Sequence, residues 1–346
     1  MPLLLDALTG DAEIAQLFSD DATVKAILDV EIALAFAEAE IGLISSEAAS
    51  RIAQVCREFR PDATALRDGM TTDGVVMPNL VHQLRTALGE PHAKSLHLGA
   101  TSQDILDTAL AVQLKAVFEV LEEGLSALVG RLDRWSSEQG DAALMAHTRM
   151  QRALPFTVRD KLDTWTNPLR RHRERLVATR SSALTIQLGG PVGNGDSYRG
   201  SALQITQAIA QRLGLQAVAP WHAERDRIAD VGHLFALISG SLGKIGQDVA
   251  LMAQNEVGEI KLAGGGSSSV MTHKSNPVAA EVLVALARFN AGLNGTLGQT
   301  MVHEAERSGS AWTLEWMVLP QMAITAGASL RHAAKLLDGA RFVPMS

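Results

Sequence analysis

Between Gly264 and Pro277 the chain reads Gly-Gly-Gly-Ser-Ser-Ser-Val-Met-Thr-His-Lys-Ser-Asn-Pro. Three glycines allow backbone conformations barred to other residues. Three hydroxyls follow, then His273, Lys274 and Asn276, and Pro277 opens an apolar-periodic stretch as a helix-starting residue would. Such a loop holds a hydroxyl and an imidazole for proton transfer, and an ammonium and an amide to meet negative charge. It lies just ahead of the positive end of a helix dipole. A flexible linker would supply the glycines and serines, but not the His-Lys-Ser-Asn-Pro ending.

Two more polar segments interrupt apolar patterns. In His97-Leu-Gly-Ala-Thr-Ser-Gln-Asp-Ile-Leu-Asp-Thr108, Thr101 or Ser102 is placed to cap a long helix, with Asp104 in its first turn. Capping explains part of this pattern. His97, Gly99 and two hydroxyls at a helix N-terminus also form a carboxylate cradle. His147-Thr-Arg-Met-Gln-Arg-Ala-Leu-Pro155 precedes another helix and offers Arg149 and Gln151. In Trp221-His-Ala-Glu-Arg-Asp-Arg227, Arg225 suits bidentate carboxylate binding, although a solvated salt-bridged face would look the same. No metal-ligand spacing occurs, and Gly189-Gly-Pro-Val-Gly193 lacks the Lys-Ser/Thr ending of a phosphate loop. No metal and no cofactor are expected.

Long helices must position these segments. The series Leu114, Val117, Leu121, Leu125, Leu128, Leu132, Trp135 keeps steps of three and four, as does Val231, Leu234, Ile238, Leu242, Ile245, Val249, Met252. A shorter series is Ile27, Val30, Leu34, Ala37, Ile41. Gly240, Gly243 and Gly246 suggest a close-packing helix face, and Pro168 predicts a kink or interruption. The 346 residues are 47% hydrophobic but 4% aromatic, which favours packed helices over β-sandwiches, and no alternating run is long enough for a sheet. An all-α bundle is expected, with an N-terminal helical domain over 1–95 and a long-helix domain over 96–346. Helices of this length need partners on their far faces, so homo-oligomerisation follows.

The single cysteine, Cys56, excludes an internal disulfide and fits a reducing compartment. A formal charge of −7 without a basic stripe argues against nucleic-acid binding. The opening apolar run is too short for a signal peptide, and no uninterrupted apolar stretch approaches bilayer-spanning length. A cytoplasmic protein without a membrane partner is expected.

The glycine-serine loop resembles the Gly-Ser-Ser-x-Met-Pro-x-Lys-x-Asn-Pro signature of the fumarase/aspartase superfamily, which includes adenylosuccinate and argininosuccinate lyases. Leu17-Phe-Ser-Asp20, Leu28-Asp-Val-Glu31, His97 to Thr108, Trp221 to Ile228, Gln254 to Glu259 and Gly309 to Trp316 extend the similarity, most closely to its carboxymuconate cycloisomerases. The resemblance implies a lactone-forming cycloisomerase of aromatic catabolism, acting in the β-ketoadipate pathway on a small polycarboxylate. It implies a homotetramer whose sites combine several subunits. Ser268 would handle the proton, with Lys274 and Asn276 stabilising charge. His97, Thr101, Ser102, Arg149, Gln151, Arg225 and His273 would bind substrate.

Ser267 stands where the family has Gly, and Thr272 where it has Pro. Alignment on Gln151 puts Arg149 at the place of the lyases' histidine, with His147 two residues earlier. Arginine stays protonated, so a carboxylate clamp fits there better than a proton shuttle. The His-Asp pair of adenylosuccinate lyases has no match in Thr71 to Leu80, which counts against a purine substrate. The small C-terminal helical domain usual in the superfamily is not expected here, since the sequence stops soon after a helix ending near Leu337. A sulfomuconate cycloisomerase, a fumarate-releasing lyase and a non-catalytic structural bundle are the alternatives.

Overall fold

The structure, a computed structural model, describes residues 3–263, 266, 267 and 275–345. Helices α1 (Leu3–Thr9) and α2 (Ala12–Leu17) lead into α3 (Asp20–Glu40), α4 (Ser46–Glu58), α5 (Ala63–Asp73) and α6 (Met77–Leu88). Short polar side chains start several of them. Ser19 accepts from the Ala22 N–H, Ser45 from that of Ala48, and Asp62 from those of Thr64 and Ala65. The long elements are α7 (Ser102–Gln139), α8 (Val158–Ala183), α10 (Asp226–Met252), α11 (Val278–Gly298) and α12 (Gly309–Asp338), with the shorter α9 (Ala202–Leu213) between α8 and α10.

The apolar stripes are the core. Leu114, Val117, Leu121, Leu125, Leu128 and Leu132 of α7 are buried, as are all seven apolar residues of the α10 series. Helix α10 packs on α8, α11 and α12, while α7 packs on α3, α8 and α12. By length and apolarity α10 alone among the described helices could cross a membrane. Its neighbours cover it instead, as expected of a bundle's central helix. A Cβ on Gly243 would lie 2.4 Å from that of Ala287, and one on Gly246 would lie 2.6 Å from the Ala280 carbonyl oxygen, so glycine lets α10 and α11 touch. Gly240 faces open space and takes no part in this contact. Pro168 sits inside α8 without ending it.

The chain also contains strands that periodicity does not announce. β1 (Ala143–Thr148) and β2 (Gln151–Thr157) form an antiparallel hairpin. Its two turn residues, Arg149 and Met150, both have positive φ, 50° and 64°. A two-residue turn of this twist usually carries Asn-Gly, and nearly all of β2 is exposed, so neither turn chemistry nor alternation marks it. β3 (Ile260–Leu262) pairs with β6 (Ala340–Phe342), and β4 (Gly266–Ser267) with β5 (Ser275–Asn276). Among the described residues no sheet exceeds two strands, and the architecture remains a long-helix bundle.

At 1.5 Å per residue the 38 residues of α7 extend about 57 Å. His222 and Arg225, just before α10, sit at the first turns of α7. At its far end Trp135 meets Phe342 edge-on, and Phe342 stacks on Trp165. The β1–β2 hairpin and β3 gather there too: Met345 N–H donates to the Ala143 carbonyl, and Val343 N–H to that of Glu259. The bundle therefore has two chemically distinct ends.

Candidate functional site

At the first end, Asp104 organises the approach to α7. This carboxylate is fully buried. Its Oδ2 accepts from the N–H groups of Thr101 (2.9 Å) and Gly190 (2.9 Å). Its Oδ1 accepts from the Gly189 N–H (2.8 Å) and lies 2.9 Å from His222 Nε2. The cap residue and the Gly189–Gly190 turn are thus pinned to the same helix start. Only glycine fits at 190: its φ is +71°, and a Cβ would sit 2.9 Å from Ser197 Oγ and 3.0 Å from the Gly99 carbonyl oxygen. Thr101 caps α7 and Ser102 begins it, so their hydroxyls surround the positive end of the helix dipole.

His97 enters this end in a left-handed conformation, φ 58°, which costs a non-glycine residue strain. Its Nδ1 lies 2.6 Å from Glu31 Oε1 on α3. Burial alone would lower the imidazole pKa, but the charge and hydrogen bond of Glu31, with the charge of Asp104, outweigh it and raise the value, against Arg85. Arg85 of α6 donates to the Leu96 carbonyl (3.1 Å), one residue away. Behind Glu31 on the same helix, Glu38 is fully buried and neither of its oxygens has a partner among the described residues. Burial, reinforced by the charge of Glu31, pushes its pKa up to about 9. The first end therefore combines a helix N-terminus, two hydroxyls and an imidazole favoured in its charged form. Such a combination is chemically suited to an anion.

Arg225 does not fit the expected role of substrate anchor. Its side chain is wholly buried and bidentate to both Asp107 and Glu315, at 2.7 and 3.2 Å to the first and 2.9 and 2.6 Å to the second. Its guanidinium lies over the Trp221 ring, 4.9 Å from the centroid, and Trp312 Nε1–H donates to Asp107 (3.0 Å). With its donors directed at two carboxylates, it joins α7, α10 and α12 rather than facing a ligand. Burial disfavours the guanidinium's charge, but Asp107 and Glu315 more than restore it, while burial pushes Glu315 up despite the arginine.

The second end carries Arg149 at the exposed hairpin turn and Gln151 opening β2, with His147 Nδ1 3.8 Å from Glu259. Asn276 lies in β5 opposite Gly266, and Ser267 pairs with Ser275, so the ends of the glycine-serine loop are held side by side. Pro277 directly precedes α11, as its position predicts. Ser268, His273 and Lys274 lie outside the described residues. Within one chain, then, His97, Thr101 and Ser102 are separated from Arg149, Gln151 and Asn276 by the length of α7. A cavity of about 560 Å³ lies elsewhere, among α3, α5, α7 and α12, lined by groups such as Val24, Leu66, Leu106, Leu110 and Trp316. None of the expected site residues lines it, and its mainly apolar wall does not suit a polycarboxylate.

A lyase family model matches residues 10–289. This chain belongs to the lyase family. It is 38% identical over 343 residues to the 3-carboxy-cis,cis-muconate cycloisomerase of Pseudomonas aeruginosa, covering 97% of this chain and 75% of the relative. Identity to the enzyme of that name from Pseudomonas putida is 36%, covering 97% and 81%. The crystal structure of 3-carboxy-cis,cis-muconate lactonizing enzyme from Pseudomonas putida matches with a TM-score of 0.92 at 35% identity, over 98% of this chain and 77% of that one. Fumarate lyase from Mesorhizobium sp. BNC1 matches at 0.90 and 30%, over 97% and 77%. At these identities the lyase-family fold and the bundle described above are one architecture.

Sequence reading missed the groups that support the first end: Glu31, Glu38, Asp107 and Glu315, and Asp104 beyond its capping role. One signal was available. Gln103, Asp104 and Asp107 share the opening turns of a helix whose later stripe is apolar, and polar residues at such positions must be buried with partners. Their partners, Arg225, His222 and the 189–190 turn, come from 80 or more residues away and carry no local mark.

Proposed function

We propose that this chain is a lactone-forming cycloisomerase, an intramolecular lyase that converts 3-carboxy-cis,cis-muconate to a carboxymuconolactone in aromatic catabolism, within the β-ketoadipate pathway. The observation that carries this reading is the anion cradle at the start of α7, in a chain whose relatives include enzymes named for that substrate. One carboxylate oxygen attacks a conjugated alkene carbon. Charge moves onto the remote carboxylate as an enediolate-like intermediate, which is then protonated at carbon.

A substrate with three carboxylates thereby concentrates further charge on one of them. Preorganised donors at that group are the largest catalytic contribution, and losing one typically costs on the order of 10²–10³ in rate. Lys274, Asn276, loop amides and the start of α11 take this role, while Ser268 delivers the proton. His97, Thr101, Ser102, Arg149, Gln151 and His273 hold the remaining carboxylates. Because His97, Thr101 and Ser102 lie at one end of the bundle, at the start of a helix about 57 Å long, and Arg149, Gln151 and Asn276 lie towards the other, a complete site needs ends from different copies. A homotetramer with a shared helical bundle meets that requirement.

A fumarate-releasing lyase is the second reading, favoured by the likeness to the Mesorhizobium fumarate lyase. Arg149 in place of a histidine speaks against it, since a guanidinium does not shuttle protons at neutral pH. Ultraviolet absorbance separates the two, and also tests a sulfonated substrate. Cyclisation removes diene conjugation, whereas release of fumarate creates an absorbing alkene. The expected result is loss of diene absorbance with 3-carboxymuconate. No change with that substrate, alongside turnover of a sulfomuconate or argininosuccinate, overturns the assignment.

A further inference from the structure

Glu31 is buried, and its side chain has no exposure at all. A carboxylate so placed stays ionised only beside a cation or strong donors. Its Oε1 has one such partner, His97 Nδ1 at 2.6 Å, while its Oε2 has none among the described residues. Glu38, a further two turns along the same helix, has no partner among the described residues and is held neutral by burial and by Glu31. The charged groups facing His97 are therefore Glu31 from α3, Asp104 from α7 and Arg85 from α6, with the neutral Glu38 behind Glu31. Tyr198, before α9, closes the cluster as a buried neutral phenol whose ionisation burial and the same carboxyls oppose. Of these groups only Arg85 opposes a charge on the imidazole, and Glu31 is the one in direct contact.

The backbone supports the same conclusion. His97 is kept at φ 58°, a conformation that a linking residue would avoid, and the surroundings must overdetermine it. With Nδ1 committed to Glu31, the nitrogen left to meet a ligand is Nε2, on a ring that retains 13% exposure beside the Thr101–Ser102 helix start.

We propose that Glu31 is a positioning residue: it holds His97 as a standing imidazolium whose Nε2–H seats a substrate carboxylate at the start of α7. This rests on the polycarboxylate reading above. Glu31 touches no reacting atom and acts through His97 on binding. Its removal therefore affects KM, and does so according to pH.

The test compares wild type, Glu31→Gln and Glu31→Asp, using 3-carboxymuconate turnover and imidazole NMR titration of His97. Glutamine keeps the volume and removes the charge. In Glu31→Gln the His97 resonance should titrate at lower pH. KM should begin to rise at that lower pH, by about tenfold at fixed pH for each unit the imidazole falls, with kcat changed less than threefold. Glu31→Asp should restore part of both shifts. If His97 titrates alike in wild type and Glu31→Gln, the ion pair does not set its charge and the inference fails. If the resonance shifts while the pH dependence of KM stays put, His97 does not seat the substrate and the inference also fails. Absence of wild-type turnover is a different failure. It removes the substrate assignment, and calorimetric binding of tricarballylate at pH 6 and pH 8 then decides whether Glu31→Gln weakens tricarboxylate binding more at the higher pH.

Discussion

Replacing Glu38 with glutamine removes a carboxyl that is fully buried and unpartnered among the described residues, next to the charged Glu31. Its pKa rises from 4.5 to about 9, first through burial and then through repulsion from Glu31. The folded protein therefore keeps this proton across a range in which the unfolded chain has released it. The folded state binds more protons there, so stability falls as pH rises. The contribution of the neutral acid is complete below pH 4.5 and is lost progressively towards pH 9. Each pH unit corresponds to about 1.4 kcal/mol, so the loss at pH 7 is roughly 3 kcal/mol.

Glutamine keeps the volume of the side chain but cannot ionise. Urea unfolding of wild type and Glu38→Gln at pH 5, 6, 7 and 8, at one protein concentration, measures the difference directly. The variant should gain on wild type by about 1.4 kcal/mol per pH unit between pH 5 and 8, reaching roughly 3 kcal/mol at pH 7. A stability gap that does not change with pH would refute the argument, because it would mean that Glu38 titrates alike in both states.

Arg225→Met leaves Asp107 and Glu315 buried together without their cation, and should lower unfolding stability by about 3–5 kcal/mol. A normal melting temperature with a raised KM would instead return Arg225 to the substrate. Asp104→Asn weakens at least one charge-assisted bond at the 189–190 turn, for a loss of about 2 kcal/mol, and should open that turn to limited proteolysis; unchanged cleavage there would count against its pinning role. Ser268→Ala and His97→Ala should each be nearly inactive, yet mixing the two after co-refolding should restore a fraction of wild-type turnover, since the paired strands that flank the glycine-serine loop lie away from the end that carries His97. Mixtures as inactive as either parent would argue that each site is built from one chain. Arg149→Ala should raise KM at least tenfold with kcat changed little, and an unaltered KM would argue against a carboxylate clamp at the hairpin turn.

Local chemistry made much of the architecture readable. The 3.6-residue spacing of Leu114 through Leu132 and of Val231 through Met252 announces buried helix faces, because a stripe at that period must be covered. Thr101 before α7 and Pro277 before α11 mark helix starts, because orphan N–H groups and a fixed φ favour those residues there. The β1–β2 hairpin escaped notice for an equally local reason: its turn uses Arg-Met at positive φ, and its second strand lies in solvent without alternation.

Residue types and short spacings by themselves determined the helical class, the main helices, the family and the segments that carry chemistry. Tertiary structure alone decided how those segments are used. It turned Arg225 inward to Asp107 and Glu315, paired His97 with a glutamate 66 positions earlier, and set the α7 cradle and the Arg149 hairpin at opposite ends of a rod. The physical reason is range. Periodicity and capping act over one or two helical turns, whereas the partner of a buried charge is chosen by how distant helices cross, which no local pattern encodes.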